Sequence, residues 1–119
     1  MRSLAFALVV LAFTTVAAFA DPVGKFNVAG ANPGSDGGKY SGSVTVTKTG
    51  DTFRVVWVIG DDKFIGTGIG SKDFLAVEYK SGDNTGLALY SEDKDGSWSG
   101  VWVYAGGKEL GTERWIRSK

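Results

Sequence analysis

The stretch KYSGSVTVTKTGDTFRVVWVIG, residues 39–60, decides the fold. In its first half Tyr40, Gly42, Val44 and Val46 alternate with Ser41, Ser43, Thr45 and Thr47; in its second half Phe53, Val55, Trp57 and Ile59 alternate with Arg54, Val56 and Val58. Successive side chains of a strand point to opposite faces, so each half reads as a strand with one face turned to a core. Thr49-Gly50-Asp51 between them is turn chemistry. The stretch is therefore an antiparallel hairpin.

The same unit recurs on either side. Turn-forming clusters stand at Asn32 to Gly38, Thr49 to Asp51, Gly60 to Asp62, Ser71 to Asp73, Ser81 to Asn84, Glu92 to Gly96 and Ala105 to Lys108. After the first, their centres lie about 11 to 12 residues apart, the spacing of a β-sandwich or β-barrel. Seven turns imply eight strands. Phe26 and Val28 give the first its inward face. Gly66, Gly68 and Gly70 strip one face of the fourth, which signals a bend or the close approach of neighbouring bulk. Leu75, Val77 and Tyr79 define the fifth, and Leu87 and Leu89 the sixth, with Tyr90 on the other face. Trp98, Gly100, Trp102 and Tyr104 line the seventh, and Gly111, Glu113 and Trp115 the last.

Turns this short leave no room for crossover helices, so neighbours are antiparallel. Tyr40-x-Gly42, Phe64-x-Gly66 and Trp98-x-Gly100 alternate large and small residues, as a tapering barrel interior requires. Asp95-Gly96 is the sequence of a two-residue hairpin turn. An all-β, antiparallel, eight-stranded up-and-down barrel of the calycin type is expected, with a two-sheet β-sandwich as the alternative. Closure removes the exposed edges that invite aggregation.

The first twenty residues differ from the rest. Arg2, the apolar run from Leu4 to Phe13 and Ala18-Phe19-Ala20 form the three parts of a secretory signal. Ten apolar residues fall well short of the roughly 20 that span a bilayer. Cleavage after Ala20 leaves one domain, residues 21–119, exported to the periplasm or beyond the cell. Its twelve basic and thirteen acidic residues are scattered, giving no footprint for nucleic acid. There is no cysteine, so the core alone must hold the fold.

Histidine is also absent. The two absences eliminate Ser-His-Asp and Cys-His nucleophile systems and the usual zinc ligand sets. Asp93-Lys94-Asp95-Gly96 opens like a calcium loop but lacks the downstream acidic ligand and sits between strands. Gly66-x-Gly68-x-Gly70 lacks the helix N-terminus that would hold a phosphate. A non-catalytic protein without cofactor or metal is expected. Glu113 is the ionisable residue of greatest interest, because the alternation that turns Trp115 inward turns Glu113 inward too. A carboxylate inside a barrel needs donors, and Tyr40, Tyr79, Trp57 and Trp102 are the candidates. Tyr40, Trp57, Tyr79, Trp98, Trp102, Glu113 and Trp115 make up the expected ligand-binding set.

Gly24-Lys-Phe26, Asn32-Pro33, Lys39-Tyr40-Ser41-Gly42, Trp57, Gly86-Leu87-x-x-Tyr90, Asp95-Gly96, Gly100-x-Trp102 and Gly111-Thr112-Glu113 together resemble a group of small exported bacterial proteins labelled fibronectin-binding. The resemblance implies a binding protein with a protein or matrix partner. Gly24-x-Phe26 and the stretch from Trp98 to Trp115 are more faintly similar to avidin-like and other calycin barrels, which implies instead a carrier of a small apolar or amphipathic ligand. An eight-stranded barrel is just wide enough to be filled by its own side chains or to hold one small ligand.

Overall fold

The computed structural model describes residues 22–119, and the signal segment expected over residues 1–20 lies outside them. Eight strands follow in order: β1 (Gly24–Ala31), β2 (Lys39–Thr49), β3 (Thr52–Ile59), β4 (Asp62–Gly70), β5 (Phe74–Ser81), β6 (Asn84–Glu92), β7 (Trp98–Tyr104) and β8 (Gly111–Arg117). Each pairs antiparallel with the next, and β8 returns to β1 through Phe26↔Arg117 to Ala31↔Thr112, closing the barrel. The sandwich alternative is thereby set aside. All seven turn clusters stand at the connections, with Thr49, Asp62, Ser81, Asn84 and Glu92 forming strand ends.

Three of the connections are two-residue Gly-Asp loops: Gly50-Asp51, Gly60-Asp61 and Gly82-Asp83. Each glycine has a positive φ, 66°, 61° and 59° in turn. Tight hairpins need that conformation to match the twist of their strands, and a side chain there would be strained. Asp95-Gly96 does not form such a loop, contrary to the sequence expectation. It lies inside a five-residue connection between Glu92 and Trp98, held by Asp93 N–H to Ser97 O at 2.7 Å and Gly96 N–H to Asp93 O at 3.0 Å. The Asp93 carboxylate also takes hydrogen bonds from the Ser97 and Ser99 hydroxyls, so local side-chain bonding supports the longer loop.

The interior follows the alternation on seven strands. Phe26, Val44, Val46, Val55, Leu75, Trp98 and Trp115 are wholly inaccessible, and burying each large apolar side chain contributes about 1.5 to 3 kcal/mol. The sixth strand corrects the sequence reading. Leu87 and Leu89 face solvent at 58% and 53% exposure, while Gly86, Ala88 and Tyr90 face the core. The physical reason lies across the ladder. Gly86 pairs with Tyr79 and Gly100 with Tyr90, so each ring has a bare backbone to lie on only in this register.

The glycine face of β4 is likewise filled. A Cβ at Gly66 would stand 2.5 Å from Val77 Cγ1, and one at Gly68 2.9 Å from Leu75 Cδ1. These glycines mark the close approach of neighbouring bulk and do not border open space.

The two ends of the barrel differ. At the end holding the 50–51, 71–73 and 93–97 loops, Phe26, Trp98 and Trp115 plug the interior, with Phe26 and Trp115 ring centres 5.4 Å apart. Arg117 covers this plug, its guanidinium 4.7 Å from the centre of the Phe26 ring while it donates to Val23 O at 2.9 Å. The opposite end, ringed by the 32–38, 60–61, 82–83 and 105–110 loops, is where the interior opens. No helix among the described residues is long and apolar enough to cross a membrane.

Candidate functional site

Glu113 sits near the mouth end of β8, on the inward face with Gly111 and Trp115, and is 8% exposed. Its carboxylate accepts four hydrogen bonds. Oε1 receives the Tyr90 hydroxyl at 2.7 Å, the Trp115 indole N–H at 2.9 Å and the Trp57 indole N–H at 3.2 Å. Oε2 receives the Tyr40 hydroxyl alone, at 2.7 Å. The sequence expectation is met for Tyr40 and Trp57 and corrected for the other two. Tyr79 donates instead to Val103 O at 3.1 Å, and the Trp102 N–H is buried with no protein hydrogen-bond partner. Tyr90 and Trp115 take their places.

Cross-strand pairing explains how four strands lay their rings across the interior. Tyr40 pairs with Gly30, Tyr79 with Gly86, Tyr90 with Gly100 and Trp102 with Gly111. A Cβ on any of these glycines would come within 2.2 to 2.3 Å of the partner's ring or hydroxyl. Each ring therefore lies down over a neighbouring strand; Tyr40 and Tyr90 bring their hydroxyls to Glu113, whereas Tyr79 crosses β6 to reach Val103 O on β7. This is the known use of an aromatic to cover a strand glycine.

Above the carboxylate opens a cup of about 250 Å³, reaching solvent at the mouth. Of the expected binding set, Tyr40, Trp57, Tyr79, Trp102 and Glu113 line it. Trp98 and Trp115 do not, because they lie deeper, in the plug. Phe64 and Tyr104 also line the cup, as do Tyr90 and the rim residues Asn32, Ile59 and Asp62. Phe64 and Tyr104 stood on inward faces that the alternation had already marked. Ile59 belongs to the inward set of β3 as well, Tyr90 lies on the face of β6 that the sequence reading turned outward, and Asn32 and Asp62 belong to a loop and a strand end whose placement only the closed barrel fixes.

The aromatic walls meet edge to face. Trp57 and Tyr79 are 5.6 Å apart between centres at 62°, and Trp102 and Tyr104 5.3 Å apart at 81°. Such contacts add about 0.5 to 1.5 kcal/mol each beyond burial. Burial and then the negative charge of Glu113 push the Tyr40 and Tyr90 hydroxyls well above the ordinary phenol range. Tyr79 is raised by burial, then by Tyr104 and Glu113. The Trp102 N–H acts weakly in the opposite sense on Tyr40, without reaching hydrogen-bond geometry. All three phenols are therefore held as neutral donors. Among the described residues no group of three or more histidine, cysteine, aspartate or glutamate side chains is arranged to hold a metal.

The chain matches no family profile and no curated protein. Solved structures do resemble it. A redesigned β-barrel, mFAP1, bound to DFHBI, is 18% identical with a TM-score of 0.63, over 82% of this chain and 95% of that one. A second redesigned β-barrel is 17% identical with a TM-score of 0.69, over 87% and 95%. A de novo designed fluorescence-activating β-barrel is 17% identical with a TM-score of 0.62, over 86% and 98%. At these identities the likeness is one of fold: this chain is an antiparallel up-and-down β-barrel.

Proposed function

We propose that the protein is an exported, non-catalytic carrier that holds one small amphipathic molecule in the mouth of its barrel. The observation that carries this reading is the cup itself, an aromatic-walled recess with a buried carboxylate at its base. Concave, mostly apolar sites with a few converging polar groups are where small ligands bind. Similar barrels support the reading by analogy, one of them being bound to DFHBI. The cup lies just under the ~300 Å³ at which pockets for drug-sized molecules begin, which favours a small occupant.

Calorimetric titration with 2-phenylethanol, a neutral amphipathic probe, tests this, with tryptophan emission followed in parallel because Trp57 and Trp102 line the cup. Saturable binding is expected, and Ile59→Trp, which fills the rim, should abolish it. Equal binding by the Ile59→Trp variant would locate the probe elsewhere.

A second reading, contact with a protein partner, finds its support on the outer surface. Ile69 on β4 and Leu87 and Leu89 on β6 are 61%, 58% and 53% exposed, with β5 between them, and Leu89 pairs with Val101 on β7. Its test is binding to fibronectin beside an unrelated matrix protein, and equal binding to both would mark simple adhesion.

A further inference from the structure

We infer that the ligand of this cup is a small organic cation, an ammonium group carried on an apolar or aromatic body. The inference rests on the carrier reading above and concerns the charge of what is carried. Among the described residues that line the cup, Glu113 and Asp62 bear the formal charges, and both are negative. Glu113 accepts from four donors and donates to none, the pattern of an ionised carboxylate. All four donors are neutral. A buried charge is ordinarily paired with an opposite charge, and the barrel supplies dipoles where a counter-ion would stand.

The two carboxylate oxygens are unequally used. Oε1 takes three hydrogen bonds and Oε2 one, so Oε2 retains room for another donor on a residue that borders the cup. An ammonium N–H supplies both the donor and the charge.

The walls suit the same guest. Phe64, Trp57, Tyr79, Trp102 and Tyr104 enclose the cup, and a cage of aromatic faces attracts a cation through the negative face of each ring. The raised Tyr79 hydroxyl keeps that ring neutral. At the mouth, Asp36, Asp61, Asp62, Asp83 and Glu109 stand on the loops and strand ends against Lys39, Lys63, Lys80 and Lys108, a near balance that sets no positive field against an incoming cation. An anionic guest would face the buried carboxylate with no basic side chain lining the cup to meet it.

Three probes of one shape decide the matter at neutral pH by calorimetry: phenethylamine, 2-phenylethanol and 3-phenylpropanoate, a cation, a neutral molecule and an anion. Phenethylamine should bind at least tenfold more tightly than the alcohol, and the anion most weakly. Glu113→Gln should bring the amine to within about threefold of the alcohol. If the alcohol or the anion binds as well as the amine, the charge assignment is overturned while the carrier reading stands. Silence from all three overturns both. Persistence of the amine's preference in a folded Glu113→Gln protein would remove Glu113 as its cause and overturn the inference. The wild-type comparison decides alone if that variant does not fold.

Discussion

Tyr90 of β6 lies across Gly100 of β7 and places its hydroxyl 2.7 Å from Oε1 of Glu113 on β8. One side chain thus spans a strand to reach the next, and the missing Cβ at Gly100 is what lets it pass. Gly100→Ala should therefore act as a core mutation. The new Cβ would stand 2.2 Å from Tyr90 Cδ1 and 2.6 Å from Leu89 O, and overpacking of this kind costs about 1 to 3 kcal/mol. Denaturant melts measure it; a loss under about 0.5 kcal/mol, as for an ordinary surface change, would mean the ring has another place to go.

Replacing Glu113 separates charge from shape. Glu113→Ala leaves two hydroxyls and two indole N–H groups without their acceptor, and a buried donor left unsatisfied costs about 1 to 3 kcal/mol. Glu113→Gln retains one acceptor oxygen and nearly the same volume, so it should cost less. Equilibrium unfolding of both variants checks the order, and the reverse order would contradict the network described.

Alkaline pH should unfold the protein. The Tyr90 hydroxyl is raised above its ordinary value chiefly by burial and then by Glu113, and Tyr40 and Tyr79 move in the same direction. A folded-state value above the unfolded one gives stability that is complete below pH ~10 and falls as pH rises beyond it. Tyr90 alone removes about 1.4 kcal/mol per pH unit in that range. Tyrosinate absorbance and far-ultraviolet dichroism, recorded together from pH 9 to 12, should show these phenols ionising with the loss of structure. Full ionisation in a still-folded barrel would contradict their burial.

Closure has a kinetic signature. Because β1 pairs with β8 as well as β2, the amides of Phe26, Val28, Glu113 and Trp115 should share the slow exchange class of the β2–β3 hairpin. Fast exchange confined to β1 and β8 would indicate a seam that opens.

Alternation made most of the barrel legible. On β2, β3, β5, β7 and β8 every second residue is bulky and apolar or flanked by such residues, so the inward face announces itself. On β6 both faces look plausible: Leu87 and Leu89 are the more hydrophobic pair, yet Ala88 and Tyr90 are the ones enclosed. Hydrophobicity summed along one strand cannot find this, because what fixes the face is a glycine on the next strand. The same limit applies to the site. Glu113 is visible from its neighbours Gly111 and Trp115, but its donors depend on the directions of rings from four different strands. Tyr79 and Trp102 share the face of Tyr40 and Trp57, and still their polar tips go elsewhere.

The polarity of the barrel also decides how it can be attached to other things. β1 starts and β8 finishes at the plugged pole, where Ser118 N–H bonds Lys25 O at 2.9 Å, while the cup is bordered by hairpin loops. Anything joined covalently to either of these chain ends hangs from the pole opposite the opening. A surface tether, a fused domain or an immobilising tag placed there would hold the molecule like a stemmed glass, by the foot, with the rim left clear for exchange with solvent.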